Sequence, residues 1–287
     1  MSDFSTLAGN ATKITARGFG WTHAGRKQPA LADLDLVIEP GERVLLCGDS
    51  GSGKSTLLAA MAGVLGSDEE GTRTGEILLE DSTGMVEEPG RSIPVGLVLQ
   101  DPDSQVISAR VGDDIAFGCE NLAYPREEIW RRVAAAKDLV GPFVPLDFPT
   151  ERLSGGQKQR LALAGVIAMG AGVVLLDEPT ANLDPDGARD VVRAVSALVE
   201  QTGATLVVVE HQHAAWKGVL ERAVELDHGR IVSDGPFAEV AQRRQVEGLP
   251  QARRLGEAEL AGRRAALWST DLVTRYGPCL LYTSPSP

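Results

Sequence analysis

Arg43-Val-Leu-Leu-Cys-Gly-Asp-Ser-Gly-Ser-Gly-Lys-Ser-Thr-Leu-Leu58 is the stretch from which the fold can be inferred. Residues 44–47 are apolar without alternation, as in a short parallel strand that is covered on both faces. Residues 48–55 then match the pattern G-x-x-x-x-G-K-[ST] without a mismatch, and from Lys54 onward the apolar residues follow helical spacing. The sequence therefore predicts a buried strand, a glycine-rich loop and a helix in direct succession.

The predicted loop has the chemistry of a phosphate-binding site. Its glycines allow the backbone to turn so that N–H groups converge on phosphate oxygens, and the start of the helix adds a favourable partial charge. We expect Lys54 to reach the β- and γ-phosphates of a nucleotide and the Ser55 hydroxyl to ligate Mg²⁺. A merely structural turn would leave the Lys-Ser pair unexplained. The nucleotide-binding residues predicted in this loop are Gly48, Asp49, Ser50, Gly51, Ser52, Gly53, Lys54, Ser55 and Thr56.

The composition is that of a soluble protein with an acidic surface. The chain has 287 residues and a formal net charge of −12, which disfavours non-specific binding to nucleic acid because such binding requires a basic face. Its cysteines, Cys47, Cys119 and Cys279, show neither zinc spacing nor a paired framework, so we expect a reducing compartment. Residues 1–15 lack the apolar core of a signal peptide.

The longest uncharged stretch, residues 161–176, does not predict a membrane span. It is shorter than the ~18–20 residues that a bilayer requires. Gly170 and Gly172 also interrupt it, so we interpret it as a helix end, a turn and a buried strand. We therefore expect no transmembrane segment, and any membrane role must come through a partner protein.

Before the loop, the sequence predicts an antiparallel layer of strands. Residues 14–23 have the pattern of an edge strand that carries Phe19 and Trp21, and apolar residues alternate over positions 34–38. Trp21 could stack on a nucleotide base through the face of its ring. Its spacing is equally typical of a tryptophan in the core or at its rim.

Two further strand ends carry polar residues that could act on a nucleotide. Gln100 follows a strand at residues 94–99, and the carboxyl ends of parallel strands form the ligand side of an open sheet. Gln100 could hold Mg²⁺ or the attacking water, with an ordinary loop glutamine as the alternative. Asp177 and Glu178 follow a strand at residues 173–176; we expect Asp177 to hold Mg²⁺ and Glu178 to act as general base. Two solvated acids are the alternative there.

His211 follows another predicted strand, residues 206–210, and could donate a hydrogen bond to the γ-phosphate. Together with His213 it could also bind a metal, but two ligands are too few for a metal site, and no third is nearby in the sequence. Residues 223–226 and 230–233 then predict a hairpin, and residues 236–242 a short helix.

Residues 106–165 predict a helical insertion between two strands of the sheet, with helices at 111–122, 126–140 and 156–169. Within it, Ser154, Gly155, Gly156 and Gln157 form the start of a helix that could receive an anion. Simple capping of that helix by Ser154 explains the same residues.

The C-terminal residues resemble a linker followed by the start of a second domain. Residues 251–265 resemble a charged linker, and residues 266–278 repeat the layout of the first strand, as if a second related domain began there. An ordinary tail is the alternative. Residues 279–287 resemble the translation of a sequencing adapter, and we exclude them from fold reasoning.

Taken in order, the motifs at 48–56, 100, 153–160, 173–179, 182–184 and 211 resemble the nucleotide-binding subunit of an ATP-binding-cassette (ABC) transporter. The resemblance covers about residues 10–245. It implies an α/β P-loop NTPase fold, with a RecA-like, mostly parallel sheet, an antiparallel β-layer and a helical subdomain at about 101–165 within a domain of residues 10–250. It also implies ATP and Mg²⁺ as ligands and ATP hydrolysis as the activity. Trp21 falls where that family places a base-stacking aromatic residue.

Finer features resemble the ATPase subunits of energy-coupling factor importers. The segments Gln100-Asp-Pro-Asp-Ser-Gln105 and Val111-Gly-Asp-Asp-Ile-Ala-Phe-Gly118 carry this resemblance, although Gly112 stands where the family often has an acidic residue. The resemblance implies uptake of a vitamin or a transition-metal ion at the cytoplasmic face of the cell membrane. It implies as partners a transmembrane coupling subunit and a substrate-binding membrane protein, and no nucleic acid.

The chain also has two helix starts that could bind an anion, at residues 53–55 and 154–156, but one carboxylate pair, and the helical insertion separates the two starts. For one ATP to contact both, either the chain must fold back on itself over a long distance or a second copy must supply residues 154–156 in trans. The family uses a head-to-tail pair of domains, so we expect a second ATPase domain as a partner. Two other functions stay open here: a soluble cassette ATPase acting in translation or DNA repair, and a nucleotide-binding module that does not hydrolyse.

Overall fold

The computed structural model describes residues 11–66, 70–141, 144–181, 183–211 and 213–240. The strands, in chain order, are β1 (Lys13–His23), β2 (Leu31–Ile38), β3 (Arg43–Cys47), β4 (Gly71–Glu80), β5 (Val86–Glu87), β6 (Val95–Val98), β7 (Val173–Asp177), β8 (Thr205–Val209), β9 (Arg222–Asp227) and β10 (Arg230–Pro236). The long helices are α1 (Lys54–Ala62), α2 (Val111–Asn121), α3 (Arg126–Leu139), α4 (Gly155–Met169) and α5 (Pro185–Thr202).

The strands form two sheets. The larger sheet has the order β10-β9-β3-β8-β7-β6, in which all neighbouring strands are parallel except the β9–β10 hairpin. The smaller sheet is antiparallel, with the order β2-β1-β4-β5. Because the parallel strands all run the same way, the residues that follow β3, β6, β7 and β8 meet at one edge of the larger sheet.

The central strands of the larger sheet, β3, β8 and β7, are covered on both faces, which is why they are almost entirely apolar. One face packs with the antiparallel sheet and α1, and its inward residues include Val44, Leu46 and Val207. The opposite face packs with the helices α2 to α5, and its inward residues include Leu45 and Val208. Neighbouring residues of one strand thus belong to different clusters, as the two-residue period of a strand requires.

The helical insertion is confirmed: α2, α3 and α4 all lie between β6 and β7 in the chain, and they pack on one another. Ser154 caps α4 and Asp184 caps α5, and each side chain accepts a hydrogen bond from the backbone N–H three residues later. None of the described helices is both long enough and apolar enough to cross a membrane.

One prediction about the antiparallel layer is wrong. β1 is not an edge strand, because β2 pairs with one side of it and β4 with the other. The pairing of β1 with β2 shifts in register between Ala16 and Phe19 and again between Phe19 and Trp21.

By its contacts the chain divides into residues 1–244 and 245–287, and every described residue lies in the first unit. The predicted linker at 251–265, the start of a second domain at 266–278 and the adapter-like residues 279–287 lie outside the described residues and stay predictions.

Candidate active site

The phosphate loop, residues 48–55, follows β3 and leads into α1, as predicted. Gly48, Gly51 and Gly53 have φ angles of 145°, 81° and 105°, which side chains with a Cβ rarely adopt. A Cβ on Gly48 would lie 2.2 Å from the carbonyl oxygen of Leu226, and one on Gly53 would lie 2.6 Å from that of Ala30. Gly48 and Gly53 are therefore required both by backbone conformation and by space, whereas Gly51 is required by its backbone conformation alone.

Lys54 lies within the arch of this loop. Its side chain is 6% exposed, and its Nζ donates hydrogen bonds of 2.9 Å to the carbonyl oxygens of Gly48 and Asp49. The helix that Lys54 begins has Gly53 at its N-cap and no side-chain cap. A buried ammonium group beside an uncapped helix start is an arrangement that attracts phosphate oxygens.

The loop is also tied to the turn between β9 and β10. That turn places His228 and Gly229 at φ angles of 46° and 74°, the left-handed pair of a tight hairpin. The Gly229 N–H donates to the Ser52 carbonyl oxygen at 3.0 Å, and the Gly229 carbonyl oxygen accepts from the Ala32 N–H at 2.9 Å. The shape of the phosphate loop therefore depends on strands that are distant in the sequence.

Ser55 and Asp177 bring a hydroxyl and a carboxylate together at the ligand edge of the sheet. Ser55 donates a hydrogen bond to Asp177. Burial raises the pKa of Asp177 above its usual range, and this hydrogen bond, Lys54 and His211 oppose the increase, whereas Glu178 adds to it. Paired oxygen ligands of this kind suit a hard divalent cation that keeps most of its water. Among the described residues, no group of three or more His, Cys, Asp and Glu side chains forms a closed metal centre.

Glu178 lies between two polar side chains from neighbouring strand ends. Its Oε2 accepts a 2.8 Å hydrogen bond from the Gln100 Nε2, and its Oε1 lies 3.0 Å from the Nε2 of His211. The backbone of Glu178 has a φ angle of 47°, which costs about 1–3 kcal/mol for a residue with a side chain. Its N–H is held by the Val209 carbonyl oxygen at 2.9 Å, so neighbouring strands maintain this conformation.

The structure therefore brings together most of the predicted catalytic and metal residues. Lys54, Ser55, Asp177, Glu178 and His211 form one continuous group, and Gln100 joins it through Glu178. His213 does not belong to this group, because its Nε2 lies 3.0 Å from the Glu210 carbonyl oxygen.

The start of α4 is built differently. Ser154 accepts a hydrogen bond from the Gln157 N–H at 3.4 Å, and the Gln157 side chain accepts one from the Ser154 N–H at 2.9 Å. This reciprocal pair is a capping box, so the capping role that the sequence left open is present. A Cβ on Gly155 would meet nothing within 4 Å, so the tip of the helix faces open space.

Trp21 is a correction to the predicted site. It is 4% exposed and belongs to the cluster between the antiparallel sheet and α1. Its ring leaves no room for a Cβ on Gly71, and its indole N–H donates to the Nδ1 of His23 at 3.2 Å. Stacking on a base requires an accessible ring face. The structure therefore supports the alternative interpretation, a core tryptophan.

Gln105 is a site residue that sequence reasoning missed. Its Oε1 accepts from the Leu99 N–H at 2.9 Å and its Nε2 donates to the Leu97 carbonyl oxygen at 3.1 Å. β6 is the last strand of its sheet, so this amide occupies the place of a neighbouring strand and closes the loop that carries Gln100. The signal available in the sequence was a second glutamine five residues after the first, since an amide can pair with a backbone in this way.

The chain is similar to several known proteins. The family model described as ABC transporter matches residues 31–181. A putative ABC transporter ATP-binding protein of Methanosarcina acetivorans is 38% identical over 226 residues, which are 78% of this chain and 35% of that protein. The energy-coupling factor transporter ATP-binding protein EcfA1 of Caldanaerobacter subterraneus subsp. tengcongensis is 38% identical over 221 residues, 77% of this chain and 78% of that protein.

Among solved structures, cbiO1 from Clostridium perfringens, described as part of the ABC transporter complex cbiONQ, is similar with a TM-score of 0.68. The two chains are 30% identical, and the match covers 81% of this chain and 92% of cbiO1. This chain spans about a third of the Methanosarcina relative. The predicted α/β P-loop NTPase fold is thereby confirmed.

Proposed function

This chain belongs to the ABC transporter family, and from that premise we propose that it is the ATP-binding and ATP-hydrolysing subunit of an energy-coupling factor importer. The observation that carries the proposal is the contact of Glu178 with both Gln100 and His211, beside the Ser55–Asp177 pair and the phosphate loop. A module that only binds nucleotide would not require this arrangement of a base and two polar partners.

ATP binding is the task of the phosphate loop. The loop's N–H groups and the start of α1 hold the phosphate oxygens, and Lys54 exchanges its bonds to Gly48 and Asp49 for bonds to phosphate. The Ser55 hydroxyl, the Asp177 carboxylate and the Gln100 amide oxygen fit Mg²⁺, which uses few protein ligands and takes the rest from phosphate and water. When bound, Mg²⁺ neutralises the charge that develops on the phosphates.

Hydrolysis is the task of Glu178. Its carboxylate accepts the proton of the attacking water, and Gln100 and His211 hold it in place before ATP binds. His211 is half exposed, and when ATP binds its Nε2 exchanges the contact with Glu178 for a hydrogen bond to the γ-phosphate. The left-handed backbone of Glu178 directs its side chain to this position.

The partner of this chain is a second ATPase domain, arranged head to tail, whose α4 tip completes the site. The chain's own tip is capped internally and open, so it is suited to a phosphate that another copy holds. Loss of the γ-phosphate removes what both sides bind, and the interface loosens. A transmembrane coupling subunit at the cytoplasmic face and a substrate-binding membrane protein would use that motion to import a vitamin or a transition-metal ion.

The proposal is tested by Glu178→Gln, which keeps the size and shape of the side chain but removes the base. We expect kcat for ATP hydrolysis to fall by about 10³-fold while ATP affinity is retained. The altered protein should also form an ATP-dependent dimer in size-exclusion chromatography. Glu120→Gln, at an exposed position on α2, is the matched control. Normal turnover in Glu178→Gln would contradict the assignment of the base.

A second experiment separates an importer from a soluble cassette ATPase. The tagged chain is expressed with its neighbouring genes and purified in detergent. Recovery with an integral membrane protein is expected, and recovery with ribosomes or DNA would contradict the transport role.

A further inference from the structure

Glu210 is a buried carboxylate for which the mechanism above has no use. It is 2% exposed, and it follows β8 directly before His211. Charged side chains are seldom buried to this extent unless donors satisfy them, because removal from water is costly. The partners of Glu210 therefore indicate what it does.

Those partners belong to the two segments that carry the catalytic side chains. The Glu210 Oε2 accepts a short hydrogen bond from the Thr180 hydroxyl, and Thr180 lies two residues after Glu178. The Glu210 Oε1 accepts from the backbone N–H of His211 at 2.8 Å. One carboxylate thus joins the segment after β7 to the segment after β8.

The backbone reinforces this connection. The Glu210 carbonyl oxygen contacts the Nε2 of His213 at 3.0 Å, and the Glu178 N–H is bound to Val209, the residue before Glu210. The Thr180 carbonyl oxygen accepts from the Leu183 N–H at 3.3 Å, which starts the turn toward α5. Thr180 itself is 3% exposed, so water does not compete for its bond to Glu210.

We propose that Glu210 is a positioning residue that sets the distance between Glu178 and His211 by bonding to Thr180 and to the His211 backbone. This inference rests on the proposed function. It assigns no contact with substrate to Glu210. Because the two hydrogen bonds and not the negative charge position the segments, a glutamine at this position should function nearly as well as Glu210.

The test is a pair of changes at Thr180. Thr180→Val keeps the shape of the side chain but removes the hydroxyl, whereas Thr180→Ser keeps the hydroxyl. We expect Thr180→Val to lower kcat for ATP hydrolysis about tenfold with no change in ATP dissociation constant, and Thr180→Ser to restore most of the activity. Glu210→Gln should likewise stay within about threefold of wild type, because its amide can accept from His211 and donate to Thr180.

Two further measurements distinguish positioning from general stability. In a His211→Ala background, Thr180→Val should cause no further loss of turnover, since it acts through the distance to that histidine. In the full-length chain labelled with ¹⁵N-histidine, the ring signals of His211 should move in Thr180→Val but not in Thr180→Ser. This second readout does not depend on hydrolysis.

The outcomes separate the inference from the proposed function. An active wild type whose kcat and His211 signals are unchanged by Thr180→Val would overturn the inference alone. Equal losses in Thr180→Val with and without His211 would also overturn it, because they indicate a structural role. Absence of turnover in the wild type together with its partner subunits would overturn the proposed function, while the His211 signals would still test the connection.

Discussion

The two helix starts that we propose to bind phosphate are built in opposite ways. At the start of α1 three glycines adopt positive φ angles, the helix has no side-chain cap, and a buried lysine lies within the loop. At the start of α4 a serine and a glutamine cap each other, and Gly155 faces open space. The start of α1 lies beside Asp177, which accepts a hydrogen bond from Ser55.

Under the proposed function, this difference accounts for a chain that binds a nucleotide by itself but needs a partner for turnover. An uncapped helix start and a buried positive charge concentrate affinity for phosphate at the start of α1. A capped and exposed start contributes to a site only when an anion is brought to it. The comparison therefore separates two properties, the affinity of one chain and the turnover of a pair, and variants at the two starts should change them independently.

The largest difference between the effect on turnover and the effect on ATP affinity is expected for Gly155→Asp. The position has room for a side chain, and an acid in the first turn stabilises a helix, so the chain should fold normally. The same acid repels the partner's phosphate. We expect ATP hydrolysis to fall by about 100-fold with the ATP affinity of the single chain unchanged. Kinetics and calorimetry measure the two properties, and Gly155→Ala is the control. An equal loss of ATP affinity in the single chain would contradict the separate roles of the two helix starts.

Lys54→Ala should show the reverse pattern. Loss of the ammonium group removes charge-assisted hydrogen bonds to phosphate, and we expect the ATP dissociation constant to rise about 30-fold. Titration with a fluorescent ATP analogue measures this, and Lys217→Ala, at an exposed position, is the control. If affinity were retained and only pairing lost, the roles of the two helix starts would be exchanged.

A smaller effect is expected for Gln105→Leu. The change removes both hydrogen bonds to the edge of β6 and leaves the loop that carries Gln100 without its closure. We expect kcat to fall about fivefold with ATP affinity unchanged, because Gln100 contacts Glu178 rather than the phosphate loop. Steady-state kinetics measure this effect, and Gln201→Leu, at an exposed position on α5, is the control. Weaker ATP binding would show that Gln105 supports the first helix start as well.

The smallest effect concerns stability at Asp177. Burial raises the pKa of this carboxyl, so the folded state disfavours its charged form. This contribution to stability is therefore fully present at pH values below the unfolded pKa and is lost as pH rises through the folded pKa. Asp177→Asn should melt at a higher temperature than wild type at pH 8, and the difference should shrink toward pH 4. A difference independent of pH, measured calorimetrically without nucleotide or metal, would contradict this cause.

Residues that act through local sequence could be predicted, and residues that act through distant contacts could not. The glycine loop, Asp177 and Glu178 follow strands whose apolar pattern marks their ends, so spacing alone located them. The spacing around Trp21 left base stacking and a core position open, because the burial of its ring depends on Gly71 and on register shifts in β1, which no local pattern contains. Gln105 and Glu210 were missed for the same reason, because their roles depend on hydrogen bonds to Leu97 and to Thr180 that the sequence does not reveal.

The bond between Gly229 and Ser52 has a consequence for how the protein is made. Ribosomes release the chain from its N-terminus, and the phosphate loop emerges long before the β9–β10 hairpin that supports it. In a nascent chain that is stalled before this hairpin is made, the phosphate loop should lack a fixed conformation and should not bind ATP. The ability to bind nucleotide would then appear late in translation and abruptly, when β9 and β10 have joined the larger sheet.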